Sequence, residues 1–468
     1  MKSFARSNNF RYLARVVLQA ETPVVIGSGD KDSLTDSLVQ KDVNGLPYIP
    51  ASSVAGCLRH ALALKLNVEE LERVFGYQKS DNGQGSRVIF TDGRLVGPNG
   101  VVDGIQNINF DTDAFFSRFA TLPVRDHVRI SHHGAAEKTG KFDEEIVFKG
   151  SRFCFEIELV GESNDAQYFD TLLEQMMHSE FRIGAGSRSG FGKVKIVELK
   201  KMTLDLTNGE NLEKYIAKSS DLFDPTGFWK DVPKERNQVL NTDGWTSYKL
   251  ELTPRDFFLF AAGSGENDAD ICAVRASQIE WNDGKPVFTP NLLLIPGSSV
   301  KGAISHRVAY RYNKRMGVTL ETLKEIADAT NKDIFDLVKE YTGCKNKAVQ
   351  TLFGSQDKDY SCRGRVLVSD VIQQKSSTKM LNHVSVDRFT GGAVAGALFS
   401  ERVWSKESSE KPYALEFLLE PGEVDADVLG AFEDALKDIA KGMLPLGGGV
   451  NRGHGIFEGK VYKNGEVL

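Results

Sequence analysis

Residues 49–56 read I-P-A-S-S-V-A-G, and residues 295–302 read I-P-G-S-S-V-K-G. This block is one of five that recur in the same order along the chain. The other four pairs are V-V-I-G-S-G (24–29) with F-A-A-G-S-G (260–265), F-G-Y-Q…R-V-I-F-T-D (75–92) with F-G-S-Q…R-V-L-V-S-D (353–370), H-V-R-I-S (127–131) with H-V-S-V-D (383–387), and G-S-R-S-G-F-G (186–192) with G-V-N-R-G-H-G (449–455). Five collinear pairs indicate a tandem duplication, with copies expected at residues 1–235 and 246–468.

Each copy is predicted to contain the same order of strands and helices. The strands expected from apolar patterning are 12–19, 87–92, 153–159 and 193–199 in the first copy, and 248–252, 365–370, 413–419 and 456–462 in the second. One helix is expected to begin at each Ser-Ser pair, and another to follow the third strand. The resulting β-α-β-β-α-β order is that of a split βαβ, ferredoxin-like (RRM-like) unit. The predicted fold class is α+β, with two tandem ferredoxin-like domains.

Four inserted segments distinguish the copies from a minimal unit. Residues 96–117 are rich in Gly, Asn and Asp, which predicts a surface loop, whereas residues 318–341 are predicted to be helical. His127 and His383 head β-like stretches that continue into polar segments at 134–145 and 390–400, and this pattern predicts a long hairpin in each copy.

Composition narrows the class of protein. The 468 residues carry 58 Lys+Arg against 64 Asp+Glu, and this net charge of −6 argues against nucleic-acid binding through overall charge, although a local basic groove is compatible with it. No apolar run approaches the ~20 residues that span a bilayer, so a cytoplasmic protein without membrane contact is expected. The five cysteines form no C-x-x-C pair, and the eight histidines show no metal-ligand spacing. Neither a disulfide scaffold nor a structural zinc site is predicted.

The Ser-Ser block combines hydroxyls with the free N–H groups of a helix start, which suits an RNA phosphate. The alternative is an ordinary capped helix, but recurrence of the block with basic residues behind it favours RNA contact. The candidate residues are Ser52, Ser53 and Arg59 in the first copy and Ser298, Ser299, Lys301 and Arg307 in the second.

The glycine-rich segments 184–192 and 447–455 are a second candidate for RNA contact. They are not Walker A loops, because neither contains Gly-Lys followed by Ser or Thr, and they do not follow a strand as a dinucleotide fingerprint does. Consecutive glycines let a backbone approach a ligand closely, and Arg188 and Arg452 lie inside these segments. The alternative is a flexible loop that only requires positive φ.

The acidic loops after Gly-Ser-Gly are the candidates for catalysis. Alignment of T-D-S-L-V with A-D-I-C-A pairs Asp36 with Asp270. A solvated acidic loop is the alternative. However, carboxylates that directly precede a phosphate site repel the RNA. Their placement here therefore favours a role in acting on the RNA.

The blocks I-P-G-S-S-V-K-G and G-S-R-S-G-F-G, one per unit, resemble the RAMP superfamily of CRISPR-associated proteins. Residues 36–54 resemble the backbone subunits of type III effector complexes more closely, and a fused pair of units is similar to the multi-domain subunits of type III-D and III-E systems. The resemblance implies partners: a CRISPR guide RNA, a complementary single-stranded target RNA and other type III effector subunits. It also implies thumb hairpins that interrupt the guide–target duplex, and a loop aspartate that cleaves the target beside each interruption.

Transferred residue by residue, this resemblance makes Asp36 the catalytic residue of the first unit, with no gap to its Ser-Ser helix. Asp270 is the choice in the second unit and Asp268 the reserve. Ala51 and Ala55 replace the Gly297 and Lys301 of the second copy, which weakens the first phosphate site. The residues expected at the thumb bases are Arg125, His127 and Arg129 in the first unit and His383 and Arg388 in the second.

The resemblance further implies an endoribonuclease that depends on a divalent metal, expected to be Mg²⁺, with Asp36 and Asp270 as possible ligands. A carboxylate that acts as a base or holds a metal is chemically sufficient, provided that the scissile bond is splayed. Two alternatives stay open at this stage. One is an inert guide-binding scaffold, and Asp36 argues against it for the first copy. The other is a guide-processing ribonuclease that uses histidine. The lack of a similarly placed His beside both glycine loops argues against it.

Overall fold

The computed structural model describes residues 8–222, 227–233, 244–263, 265–266, 268–356, 361–373, 377–406 and 410–468. The predicted boundary between the copies, near residues 235 and 246, falls mostly outside these described ranges and stays a prediction. None of the helices in the described ranges is long and apolar enough to cross a membrane. The chain is a mixed α/β protein in two parts.

The first unit contains eleven strands and five helices within the described residues. They are β1 (Phe10–Ala20), α1 (Ala51–Leu62), α2 (Val68–Phe75), β2 (Tyr77–Lys79), β3 (Asn82–Gln84), β4 (Val88–Phe90), β5 (Arg94–Gly97), β6 (Gly100–Val101), α3 (Ser117–Ala120), β7 (Val124–Ile130), β8 (Ala136–Glu145), β9 (Arg152–Gly161), α4 (Ala166–Met177), β10 (Val194–Asp205), α5 (Gly209–Ile216) and β11 (Lys230–Asp231).

The main sheet of the first unit has the order β11-β10-β1-β9-β5-β6, and β4 also pairs with β9. Alternate residues of β1, from Tyr12 to Ala20, point into one large core, as the period of two along a strand requires. Helices α1 and α4 supply Leu58 and Phe169 to the same core. The pattern of apolar residues therefore places both helices on one face of the sheet.

The second unit contains the remaining thirteen strands and five helices of the described chain. They are β12 (Thr246–Pro254), β13 (Ile271–Cys272), β14 (Arg275–Asn282), β15 (Lys285–Ile295), α6 (Gly297–Arg315), α7 (Leu320–Thr330), α8 (Ile334–Thr342), α9 (Lys347–Phe353), β16 (Gly354–Gln356), β17 (Ser361–Arg363), β18 (Val366–Val368), β19 (Val371–Gln373), β20 (Ser377–His383), β21 (Phe399–Ser405), β22 (Tyr413–Leu419), α10 (Ala426–Ala440), β23 (Phe457–Lys463) and β24 (Glu466–Val467).

The sheet of the second unit repeats the first at its centre. Its order is β18-β22-β12-β23-β24, and the corresponding strands of the first unit run β4-β9-β1-β10. All these neighbours are antiparallel. Helices α6 and α10 pack together and bury Ile304 and Phe432 against Tyr248 and Leu250 of β12.

Three local predictions need correction. The Ser-Ser pairs do not cap their helices: Pro50 and Pro296 occupy the N-cap positions, and the serines are the second and third helical residues. The segment 96–117 is more than a surface loop, since it forms β6 and packs half-buried aromatic residues against the first core. The prediction that residues 318–341 are helical is confirmed, because this segment contains α7 and α8. His127 and His383 do not head their strands: His127 lies within β7, and His383 is the last residue of β20.

The two units meet through the glycine-rich segment of the first and the α6 start of the second. Gly190, at φ +124°, approaches so closely that a Cβ on Gly297 would lie 2.8 Å from the Gly190 Cα atom. The backbones of Gly190 and Ser369 form a parallel bridge beside this contact. Glycine is therefore required at residue 297 by packing between the units.

Candidate functional site

In the first unit, the acidic loop is held against the second strand of the β7–β8 hairpin. The N–H of Asp36 donates to the Asp143 carboxylate at 2.8 Å, and the N–H of Asp143 donates to the Asp36 carboxylate at 3.2 Å. The side chain of Asp36 is exposed and that of Asp143 half-buried. This reciprocal pair fixes two carboxylates side by side at the base of the hairpin.

The second unit builds the same arrangement with one substitution. The N–H of Asp270 donates to the Ser400 hydroxyl at 3.1 Å, and Asp270 accepts from the Ser400 N–H at 2.7 Å and its hydroxyl at 2.9 Å. The backbone N–H of Ser400, and then its hydroxyl, lower the pKa of Asp270 below its ordinary value. Asp270 is therefore an exposed, readily ionised carboxylate.

Strand register identifies the equivalent residues. His127 pairs with Phe142 across β7–β8, and His383 pairs with Phe399 across β20–β21. The residue after each Phe is then Asp143 in the first unit and Ser400 in the second. Asp36 and Asp270 therefore occupy equivalent places, as the alignment of the two loops had paired them. Asp268, the reserve candidate, instead forms an ion pair with Arg402. The described hydrogen bonds between this loop and Ser400 are made by Asp270.

The first acidic site has a donor set that suits a hard divalent cation. Each of Asp36 and Asp143 keeps one carboxylate oxygen without a hydrogen-bond or ion-pair partner in the described chain. Mg²⁺ takes oxygen ligands and usually binds through one or two carboxylates, with waters completing its shell. The second site offers one carboxylate and a hydroxyl, which is a weaker set.

The predicted histidines contact carboxylates at the hairpin bases, one half-buried and the other buried. The Nε2 atom of His127 lies 2.9 Å from Glu144, and that of His383 lies 2.8 Å from Glu401. Each imidazole also stacks on the phenyl ring across its hairpin, at 4.7 Å and 4.8 Å between ring centroids. These histidines hold the base of each hairpin together, and the arrangement offers no free histidine for cleavage there.

Most of the basic residues predicted to bind RNA use their charge inside the protein. Arg125 is 4% exposed and donates to Asp370 at 3.0 Å. Arg188 donates to the Gly364 carbonyl and to Glu420 across the junction of the units. These two guanidinium groups are therefore not available as free cations at the surface of this chain.

The same holds for the basic residues of α6 and the second glycine-rich segment. Lys301 is half-buried, and its Nζ atom lies 3.5 Å from the Ser189 hydroxyl; burial, and then the nearby Arg188, lower the pKa of its amine. Arg307 forms an ion pair with Asp438, and Arg452 donates to Glu401 at 2.7 Å.

Three predicted cations remain open to solvent. Arg59 and Arg388 are exposed and have no ion-pair partner within the described residues, and the Arg129 side chain is 69% exposed beside Glu137. Arg59 lies on α1, while Arg129 and Arg388 lie on the hairpin segments. Among the cations predicted to bind RNA, the exposed ones therefore lie on α1 and on the two hairpin segments.

The helix starts are partly occupied by protein groups. The first N–H of α1, from Ala51, donates to the Asp92 carboxylate at 2.9 Å, and that of α6, from Gly297, donates to Asp370 at 2.7 Å. Ser52 and Ser299 are exposed, and Ser53 and Ser298 are half-buried. The hydroxyls lie at the surface, but in each unit an aspartate already interacts with the positive end of the helix dipole.

Sequence reasoning missed several residues of these sites. Asp143 and Ser400, Glu144 and Glu401, and the strand-end Asp370 were not singled out. A weak signal existed: F-D-E at 142–144 and F-S-E at 399–401 match at two of three positions, and both R-V blocks end in Asp. Short matches of this kind gain meaning only once the strand register is known.

Comparison with known proteins agrees with the duplication. No curated protein matches the chain. A family model described as the RAMP superfamily matches residues 17–195 and again residues 230–458. The first range lies on the first unit, the second begins at the end of the first unit and extends over most of the second, and together they cover most of the chain. The chain therefore belongs to the RAMP superfamily, as a tandem pair of its units.

Proposed function

We propose that this chain is a guide-RNA-binding backbone subunit of a type III CRISPR ribonucleoprotein that cleaves guide-paired target RNA at two positions, one per unit. RAMP proteins are associated with CRISPR-related RNA binding. The observation that carries the proposal is the repeated contact of an acidic loop with a hairpin base, Asp36 with Asp143 and Asp270 with Ser400. Its partners would be the guide, the target and other subunits of the complex, in the cytoplasm.

The sheet order supports the further proposal that each unit is ferredoxin-like. The order β4-β9-β1-β10, with α1 and α4 on one face, is what a β-α-β-β-α-β unit produces when its third strand lies between the first and second. The second unit has the same order with α6 and α10. Such sheets are common platforms for single-stranded RNA.

The hairpins would act as the thumbs that splay the target strand. Their segments expose large apolar side chains: Ile130 is 45% exposed, Phe142 50%, Leu398 70% and Phe389 97%. Apolar side chains inserted between bases unstack them, and stacking on an aromatic ring is worth ~1–3 kcal/mol per base. A splayed nucleotide beside Asp36 or Asp270 would bring its 2′-OH and phosphate toward in-line geometry.

The aspartates would have two roles, metal binding and proton acceptance. Asp36 and Asp143 would hold a divalent metal, which when bound supplies charge compensation at the scissile phosphate. Asp36 would position the cation or accept the 2′-OH proton, and the ion expected from the donor set is Mg²⁺. In the second unit, Asp270 would act with the Ser400 hydroxyl.

The test uses the protein loaded with a guide and an end-labelled complementary RNA. Asp36→Ala should remove one cleavage product and Asp270→Ala the other, while guide binding persists. Asp30→Ala is the control, since Asp30 is exposed in the same loop but makes no hydrogen bond to the hairpin within the described residues. Wild-type cleavage at both positions by Asp36→Ala would overturn the catalytic assignment.

The second candidate function is an inert guide-binding scaffold, restricted to the second unit. The replacement of Asp143 by Ser400 favours it, because one carboxylate binds a divalent cation more weakly than two. This alternative predicts one cleavage product that depends only on Asp36.

A further inference from the structure

Three side chains meet beneath the hairpin base of the second unit. His383 ends β20, Glu401 lies on β21, and His454 lies in the glycine-rich segment. The Nε2 atoms of His383 and His454 lie 2.8 Å and 2.7 Å from the same oxygen of Glu401, its Oε1 atom. In the described part of the chain, this is the one group of three or more His, Cys, Asp or Glu side chains whose potential ligand atoms all lie within 4.8 Å of one another. We propose that His383, Glu401 and His454 form a zinc site.

The donor set matches the preferences of zinc. Two imidazole nitrogens and one carboxylate oxygen are common zinc ligands, and three protein ligands leave the fourth tetrahedral position to water. The cluster is shielded from bulk solvent: Glu401 is 0% exposed, His454 6%, and the His383 side chain 26%. Ligands that are already held together need little reorganisation to bind an ion.

Arg452 completes the arrangement by orienting the carboxylate. Its guanidinium donates to the other oxygen of Glu401, Oε2, at 2.7 Å. This contact turns Oε1 toward the two imidazoles and offsets part of the carboxylate charge. Metal ligands are commonly held by such an outer partner, which fixes their direction and tunes their basicity.

The first unit provides an internal comparison. It has the same pair, His127 with Glu144, and the same stacked phenyl ring, Phe142. At the position of His454, however, it has Phe191, whose ring packs edge-on to His127. The change from Phe191 to His454 adds the third ligand, so the site belongs to the second unit alone.

The ion would tie the hairpin to the body of the second unit. Its ligands come from both hairpin strands and from the glycine-rich segment. Ser400, which holds Asp270, precedes Glu401 on β21 and points to the opposite side of the strand. The zinc would therefore fix the strand that positions Asp270. This inference does not depend on RNA cleavage.

The experiment measures zinc in the purified full chain after expression in zinc-supplemented medium and dialysis at neutral pH, using inductively coupled plasma mass spectrometry. We expect about one zinc per wild-type chain, loss of that zinc in His454→Phe and His383→Ala, and its retention in His127→Ala. His454→Phe installs the residue that the first unit uses, so it should fold. A chelator should lower the Tm of the wild type but not that of His454→Phe.

Two results would overturn the proposal: wild-type protein with no more zinc than His454→Phe, or full zinc retention in His454→Phe. If the variants do not fold, Co²⁺ titration of the wild-type chain decides. Visible absorption of tetrahedral Co²⁺ that disappears on addition of ZnCl₂ supports the site. Absence of that absorption contradicts it, and the cluster is then a hydrogen-bonded anchor without metal.

Discussion

Arg125 of the first unit donates to Asp370 of the second at 3.0 Å, and both side chains are buried, at 5% and 0% exposed. The other oxygen of Asp370 accepts the first N–H of α6, from Gly297. A single carboxylate therefore joins the hairpin base of one unit to the helix start of the next. This relationship makes the two units one structural body at their junction.

Loss of Arg125 should destabilise the chain strongly. Arg125→Leu, which installs the residue that the second unit has at the equivalent Leu381, leaves Asp370 buried without its cation. Breaking a buried pair in this way costs about 3–5 kcal/mol. Urea denaturation should show this loss, whereas Arg129→Leu, at a 69% exposed side chain, should change the free energy of unfolding by less than about 1 kcal/mol. Equal stability of the two variants would contradict the junction described above.

The close approach of Gly190 and Gly297 predicts a second stability effect. Gly297→Ala places a Cβ 2.8 Å from the Gly190 Cα atom, and relief of that overlap should cost about 1–3 kcal/mol. Gly302→Ala is the matched control on the same helix, since nothing lies within 4 Å of its Cβ position. The control should be neutral or stabilising by up to about 1 kcal/mol. Thermal denaturation of both variants measures the difference, and a Gly297→Ala chain as stable as the control would show that the contact tolerates a methyl group.

Substitutions that exchange Asp143 and Ser400 between the units should slow cleavage at the Asp36 site and speed cleavage at the Asp270 site. Asp143→Ser leaves Asp36 without its neighbouring carboxylate, and we expect the Asp36-dependent product to form on the order of 10-fold more slowly at limiting Mg²⁺. Ser400→Asp should speed the Asp270-dependent product. The rates of the two products on one labelled target give both values. Unchanged Mg²⁺ dependence in both variants would separate these residues from the metal.

The pH dependence of the second site follows from the Ser400 contacts. The N–H and the hydroxyl of Ser400 lower the pKa of Asp270, so its carboxylate stays ionised to lower pH than an ordinary aspartate. Ser400→Ala removes the hydroxyl bond and should raise that pKa. The acid limb of the Asp270-dependent cleavage profile should then shift to higher pH, while the Asp36-dependent product keeps its profile. A shift toward lower pH would contradict the assignment.

Phe389 tests the role of the second hairpin. Its side chain is 97% exposed, so Phe389→Ala should leave the Tm unchanged. If its ring unstacks a target base, worth ~1–3 kcal/mol, the Asp270-dependent product should form about 5–150-fold more slowly. The Asp36-dependent product serves as the control in the same reaction. Equal slowing of both products would point to a general loss of target binding.

The sequence by itself determined the duplication and most of the elements. The β22 strand, Tyr413–Leu419, matches its prediction residue for residue, and α4 and α10 lie where the apolar spacing predicted helices. These features are local, because strand and helix periodicities depend on which residues alternate between core and solvent. That alternation can be read from the order of apolar and polar residues in the sequence. The equivalence of Asp36 and Asp270 was also readable, because T-D-S-L-V in the first loop aligns with A-D-I-C-A in the second.

Only the tertiary structure decided which charges are free and which are used inside. Arg125, Arg188 and Lys301 look like surface cations in the sequence, yet their partners lie on the opposite unit, 245, 232 and 112 residues away. The His383–Glu401–His454 cluster has no sequence spacing typical of metal ligands, because its members come from two strands and a loop. Contacts of this kind depend on how the hairpins fold back onto the glycine-rich segments and on how the two units dock. Neither is set by local sequence periodicity, so a sequence pattern identifies the residue types but not their partners.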